Sequence, residues 1–422
     1  MTRDQAEAYI HSKFRKGSTP GLYRTQALLA KMGNPERKLK FIHIAGTNGK
    51  GSTASMTASI LTKAGYRTGL FTSPFIYRFN ERLQIDGEQI ADADVAELIT
   101  WLHPKVEAME EQVTEFELVT CMAFEYFLRQ NCDIVVLEVG MGGLKDATNV
   151  IPTPEVAVIT NIGLDHTDAL GDTVEKIAAN KAGIFKENGH AVVYRGTPSV
   201  EAVYEKVCAE RNIQLNKADF DTLRPISHDL FGQTFSCGSR ENLELPLLGD
   251  HELHNASVVL SIVDTLIEKG WNITEQNIRD GLRDVTWPGR FDIVSRKPLF
   301  IIDGGHNPQC IDALVTNIRD YLTGRRVIAL VGVLADKDYG EMFRPVMELV
   351  NSFVCITPDS PRKLEAKELA AHLRSAGAKA EGFDRVEDGV KAALSLAGED
   401  GAVLCFGSLY SIGDIHKAVE RI

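Results

Sequence analysis

The stretch His43–Met56, HIAGTNGKGSTASM, decides how this chain is read. Immediately before and within it, FIHIA (41–45) is a continuous apolar run of the buried-strand kind. GTNGKG is a turn, and STASMTASILTKAG has the apolar spacing of a helix that stops at Gly65. A strand that passes through a glycine-rich turn into a helix forms an anion site, because the first N–H groups of the helix lack intrahelical partners and its dipole points the same way. Gly46, Gly49 and Gly51 let the backbone approach a phosphate closely. Lys50 reaches the β and γ oxygens, and Ser52 offers a hydroxyl to Mg²⁺. The common phosphate loop has four residues between its first glycine and the Gly-Lys pair; here only Thr47 and Asn48 stand between Gly46 and Gly49.

Outward from this loop, strand-like runs alternate with helical patterns. KFIHIA, YRTGLF, DIVVLEV, VAVITNI and HAVVY form one series, and LFIIDG, RVIALVGV, SFVCIT and AVLCFG a second. Continuous Val/Ile runs separated by amphipathic segments predict parallel sheets covered by helices on both faces. Residues 218–249 are rich in short alternation and predict a small antiparallel patch, followed by a helix-rich stretch from about 255 to 284. The proline and glycine of TWPGRFDIVSRKP predict a hinge at 293–298. The expected α/β organisation is an N-terminal P-loop ATPase-like domain (1–292) with a parallel sheet and the antiparallel patch, and a smaller C-terminal Rossmann-like domain (299–422).

Composition narrows the function. The chain has 422 residues, 44% hydrophobic and 25% charged, which is ordinary for two or three globular domains. Its apolar runs fall far short of the ~20 residues that span a bilayer, and MTRDQAEAYIHSKF has no apolar core of a leader. Seven scattered cysteines without a Cys-x-x-Cys pair predict reduced thiols and a cytoplasmic location. The formal net charge of −12 and the lack of a basic tract argue against nucleic acid. With no heptad pattern or obvious apolar patch, a monomer is expected.

The shortened loop G-T-N-G-K-G-S resembles the ATP loop of the Mur-type amide ligases. GLYRTQALLAKMGNPERKLKFIHIAGTNGKGS, LFTSPFIYRFNER (70–82), TEFELVT (114–120), LEVGMGGLKDATN (137–149), TNIGLDH (160–166), NKAGIFK (180–186), WPGRFD (287–292), DGGHNP (303–308) and GSLY (407–410) together resemble one branch of them, the folylpolyglutamate synthases and dihydrofolate synthases. The resemblance covers nearly the whole chain. It implies that ATP converts a carboxylate of dihydropteroate or a folate to an acyl phosphate, which the amino group of L-glutamate then attacks. It also implies that Ser52, Ser73, Glu138 and His166 hold Mg²⁺, and that Lys181, as a carbamate formed with CO₂, holds a second Mg²⁺. Asn255, Arg290, Asp303 and His306 fall at nucleotide-contacting positions, alongside loop residues Gly46 to Ser52. Phe75, Arg82, Phe116, Asp146 and Asn149 fall at positions for the pterin-bearing substrate, with Ser408 and Tyr410 as further contacts. A requirement for K⁺ stays open.

The chain departs from the family pattern in three places. GGLKD puts Leu144 where an arginine is usual, with Lys145 beside it; Gly305 replaces a frequent alanine, and Asp292 a usual glutamate. Three rival readings fit the sequence less well. LNKAD (215–219) matches the guanine motif Asn-Lys-x-Asp of GTPases, but it lacks an evident supporting strand and accompanies a loop of the wrong length. A non-catalytic ATP-binding protein has no use for Lys50, Glu138, His166 and Lys181 together. A cell-wall peptide ligase acting on a UDP-sugar is disfavoured by the Thr-Ser-Pro loop and DATN.

Overall fold

The computed structural model describes residues 1–14, 21–335 and 339–421. The first sheet contains β1 (Phe41–Ala45), β2 (Thr68–Phe71), β3 (Leu83–Ile85), β4 (Glu88–Gln89), β5 (Ile134–Glu138), β6 (Val156–Ile159), β7 (His190–Val193) and β8 (Gln214–Lys217). Their order is β4-β3-β2-β5-β1-β6-β7-β8, parallel from β2 to β8, with β3 and β4 added antiparallel at one edge. A three-stranded antiparallel sheet follows, from β9 (Arg224–Asp229), β10 (Gly232–Cys237) and β11 (Arg240–Leu245), where the patch was expected. The last sheet comprises β12 (Asp292–Arg296), β13 (Leu299–Ile302), β14 (Val327–Val331), β15 (Ser352–Ile356), β16 (Ala380–Phe383) and β17 (Ala402–Phe406), ordered β12-β13-β17-β14-β15-β16.

Every residue of β1 and β5 is buried because each face of the sheet has its own cover. Ile42 and Ile44 pack with Ala54, Met56 and Ile60 of helix Lys50–Lys63 and with Leu253 and Val259 of helix Asp250–Glu268. Phe41, Phe71 and Leu137 face the opposite layer, where helices Asp92–Glu107 and Glu115–Arg129 supply Leu98, Leu118 and Phe124. Burying a side chain of this kind contributes roughly 1.5–3 kcal/mol, so the two layers fix the plane of the sheet. Gly281 touches the backbone of Ile60 so closely that a β-carbon would come within 2.5 Å of its Cα, which locks helix Glu275–Arg283 against the helix after the loop.

Two expectations need correction. Residues 293–298 do not lie between the sheets: Asp292–Arg296 is an edge strand paired antiparallel with β13, so the chain crosses from the first layers to the last within 284–291. Pro288 and Gly289 do mark a break, but DIVSR just after them finds an antiparallel partner in β13. LNKAD does have a strand, since Gln214–Lys217 pairs parallel with β7. Its residues nevertheless serve structure. Asn216 donates to Thr265 Oγ1 at 3.0 Å, Lys217 pairs with Glu201 and Glu205, and Asp219 accepts from the backbone of Asp221 and Thr222. No helix among the described residues is long and apolar enough to cross a membrane.

Candidate active site

The parallel register brings the carboxyl ends of β1, β5 and β6 together, with Ile44 opposite Glu138 and Ala45 opposite Ile159. The loop 46–49 leaves β1 there and enters the helix at Lys50 through Gly49, whose φ of +81° is in the left-handed region. A β-carbon on Gly49 would lie 2.5 Å from Asn255 Oδ1, and one on Gly46 would overlap the Thr160 hydroxyl. That hydroxyl donates to Asn48 O at 2.7 Å, and Thr47 N donates to Asn161 O at 2.8 Å, so β6 holds the loop from beneath. Lys50 Nζ donates to the Gly46 and Thr47 carbonyls, each at 3.2 Å. Ser52, nearly fully buried, donates its hydroxyl to Glu252 Oε1 at 2.7 Å.

Glu138 ends β5 and accepts the backbone N–H of Ser73 at 3.0 Å. Burial raises its pKa above the usual carboxylate value, while Lys50, the Ser73 N–H, Arg290 and Arg82 oppose that rise. Lys181, on helix Val174–Lys181 and 4% exposed, donates to Gly46 O at 2.7 Å. Burial, reinforced by the Lys50 charge, lowers its pKa to about 7 against the pull of Asp165 and Asp146. His166 sits at φ +50° ahead of the short turn Thr167–Leu170, and its side chain is half exposed with Nε2 4.0 Å from Asp165 Oδ1.

The last sheet supplies the facing wall. Asp303 follows β13 and accepts the N–H groups of Phe291 (2.9 Å) and Gly305 (2.7 Å), which fixes the turn carrying His306. His306 Nδ1 lies 2.8 Å from Gly304 O. The guanidinium of Arg290 fills the space a side chain on Gly304 would occupy. Asn307 caps helix Pro308–Tyr321 through Cys310 N and donates to Asn48 Oδ1 (2.9 Å) and Asp165 Oδ2 (3.3 Å). Asn48 in turn donates to Gln309 Oε1 at 2.9 Å. The two walls enclose a cleft of ≈ 380 Å³, lined by all seven loop residues from Gly46 to Ser52, by Ser73, Glu138, His166, Lys181, Asn255, Arg290, Asp303 and His306, and by Ser408 and Tyr410.

The remaining expected substrate residues lie outside that lining. Arg82 rests over the rings of Phe75 and Phe79 at 5.3 and 5.9 Å, its Nε buried without a hydrogen-bond partner. Phe116 packs on Phe71 and against Gly140. Asp146 is spent on its own turn: Oδ2 accepts from Met141 N, and Oδ1 from Thr148 N and Thr148 Oγ1. Asn149 donates to the carbonyls of Leu144 and Gly183. Leu144 is 46% exposed, so the departure from arginine puts an apolar side chain in solvent. Sequence reasoning missed Glu252, Thr160, Asn307 and Gln309. Glu252 precedes Asn255 by three residues and so shares its helix face, a spacing that signals the pair.

The donors fit Mg²⁺. Hydroxyl and carboxylate oxygens of Ser52, Ser73 and Glu138 suit a hard cation, and a cation beside the buried Glu138 would oppose the burial that raises its pKa. Among the described residues no cluster of three His, Cys, Asp or Glu side chains can hold a metal ion unaided. Phosphate oxygens and water would therefore complete the shell, as is usual for this ion.

A phosphate loop facing an α/β unit across a nucleotide-sized cleft is the plan of a Mur-type ATP-dependent amide ligase, and the profile of the Mur ligase middle domain matches residues 44–263, that of the Mur ligase glutamate ligase domain residues 289–409. The chain is 36% identical to the folylpolyglutamate synthase of Lacticaseibacillus casei over 99% of both chains, and 34% identical to the dihydrofolate synthase/folylpolyglutamate synthase of Bacillus subtilis over 98% of both. The solved structure of Escherichia coli FolC in complex with DHPP and ADP matches with a TM-score of 0.88 at 31% identity, covering 100% of this chain and 98% of that one. The chain belongs to the folylpolyglutamate synthase/dihydrofolate synthase family.

Proposed function

We propose that this protein joins L-glutamate to dihydropteroate and, at the same site, extends tetrahydrofolates with further γ-linked glutamates. The observation that carries this reading is the convergence of Lys50, Glu138, Lys181, Arg290, Asp303 and His306 on one cleft beside the loop. Transfer of the ATP γ-phosphoryl group to a substrate carboxylate leaves ADP and an acyl phosphate; the glutamate amine then attacks the carbonyl carbon, its N–H proton leaves, and the C–O bond to phosphate breaks. Lys50 and Arg290 offset the charge that builds on the phosphoryl oxygens. Ser52, Ser73, Glu138 and His166 would hold Mg²⁺, and Lys181, as a carbamate, would hold a second ion; the cations would supply further neutralisation of phosphate charge. Docking of the Asp303–His306 turn over the loop keeps water from the acyl phosphate.

Lys181 is suited to carbamate formation. A pKa of about 7 leaves a large share of the amine neutral at physiological pH, and that nitrogen adds to CO₂ with loss of a proton. With ¹³C-bicarbonate, we expect a carbamate resonance that disappears in Lys181→Ala; its absence from the unaltered protein would exclude the modification. We also propose a cytoplasmic monomer, consistent with seven free cysteines, and light scattering tests the monomer. Exchange of K⁺ for Na⁺ decides the monovalent-ion question.

The function is tested by ADP release with dihydropteroate and with tetrahydrofolate, each with and without L-glutamate. Glutamate-dependent release with both acceptors supports the bifunctional reading. Release with tetrahydrofolate alone favours extension only, the activity after which the Lacticaseibacillus casei relative is named. Release with neither overturns the assignment.

A further inference from the structure

Glu252 plays no part in the scheme above, yet it is 1% exposed and both its oxygens are engaged beside the nucleotide loop, one by Ser52 and one by Asn255. Oε1 accepts the Ser52 hydroxyl at 2.7 Å and lies 3.6 Å from His251 Nε2; Oε2 accepts from Asn255 Nδ2 at 3.0 Å. The other amide atom of Asn255, Oδ1, is the one that blocks a side chain on Gly49. One carboxylate therefore links the hydroxyl in the first turn of helix Lys50–Lys63 to the residue that walls the loop's left-handed glycine.

A hydroxyl has one proton and two lone pairs. With its proton committed to Glu252, Ser52 presents lone pairs to the rest of the cleft, and so meets a cation as an acceptor. Without that partner the hydroxyl would be free to turn its proton toward the cation. The carboxylate also places negative charge behind the hydroxyl at a buried position, where charges act more strongly than in water.

We infer that Glu252 is a positioning residue for Mg-ATP: it orients Ser52 as a cation ligand and ties it to Asn255. The inference rests on reading 46–52 as the ATP phosphate loop. It is tested by binding a fluorescent ATP analogue to the full chain, without acceptor or glutamate, across a Mg²⁺ titration and in EDTA. Glu252→Ala should weaken Mg²⁺-dependent binding about tenfold, and Glu252→Gln, which keeps an acceptor oxygen and loses the charge, about threefold. In EDTA both should stay within about twofold of the unaltered protein. Ser52→Ala, which removes the ligand itself, should lose at least as much as Glu252→Ala, and the double variant no more than Ser52→Ala, because Glu252 acts on the cation through that hydroxyl.

Unfolding midpoints accompany each measurement, and the isosteric Glu252→Gln keeps the question answerable if Glu252→Ala does not fold. Equal losses with and without Mg²⁺, or additive losses in the double variant, would make Glu252 a structural prop and overturn the inference while the ATP reading stands. Failure of the unaltered chain to bind the analogue at all would overturn the ATP reading and this inference with it.

Discussion

Lys50 and Lys181 donate to the same carbonyl, Gly46 O, at 3.2 and 2.7 Å. Burial of the deeper amine, Lys181, and after it the repulsion from Lys50 make that group give up its proton more easily. The sign of the stability effect follows. Between pH 7 and the exposed group's ordinary value of 10.5, the unfolded chain holds a proton that folded Lys181 has released, so stability rises with pH there and the burial penalty is full below about 7. Lys181→Met should flatten that rise by up to about 1.4 kcal/mol per pH unit, measured by urea unfolding from pH 7.5 to 9.5 in CO₂-free buffer. An unchanged slope would mean the amine is not depressed. The hydrogen bonds of Lys50 Nζ go to its own loop, and its charge favours the ionised form of Glu138 while disfavouring that of Lys181. Lys50→Ala should therefore reduce glutamate-dependent ADP release by roughly 100-fold or more while the unfolding midpoint moves little. Retained activity would remove the loop from the chemistry.

The element that organises the site is the turn between β1 and helix Lys50–Lys63. Its shape depends on Gly49 at φ +81°, on contact with Asn255, and on the Thr160 hydroxyl beneath it. Gly49→Ala meets two separate obstacles, a strained backbone and a β-carbon 2.5 Å from Asn255 Oδ1. The expected loss is about 1–3 kcal/mol in denaturant unfolding, together with nucleotide binding. Adding Asn255→Ala relieves the contact and leaves the strain, so the double variant should recover only part of the stability; full recovery would show that the backbone tolerates alanine there. The strand-turn-helix order was legible because a buried run, a glycine cluster and helical spacing adjoin within His43–Met56. The hairpin of β3 and β4 was not, because three- and two-residue strands carry too little pattern to stand out.

At the scale of the whole molecule, the last sheet meets the first through side-chain amides: Asn307 and Gln309 grip Asn48, and Gln309 also donates to Ile162 O at 3.2 Å. These contacts span the connection at 284–291. Gln309→Ala removes two of them without touching the Asn307 helix cap, so we expect protease cleavage within 284–291 to speed up several-fold and the KM for ATP, whose cleft Gln309 lines, to rise. Unchanged cleavage and KM values would show that the clasp holds nothing. Asn307→Ala should add about 1 kcal/mol of destabilisation from loss of the cap.

The sequence by itself determined the two alternating α/β series, the antiparallel patch, the phosphate loop and the family, because each is written in contiguous residues whose spacing or order is informative. Only the tertiary structure decided that DIVSR is an edge strand, that LNKAD is structural, that Asp146 is consumed by its own turn while Asn149 donates to the Leu144 and Gly183 carbonyls, and that Glu252 holds Ser52 across 200 residues of chain. Hydrogen bonds between distant segments leave no period in a sequence; which partner a buried carboxylate or amide finds depends on the register and packing that bring the elements together.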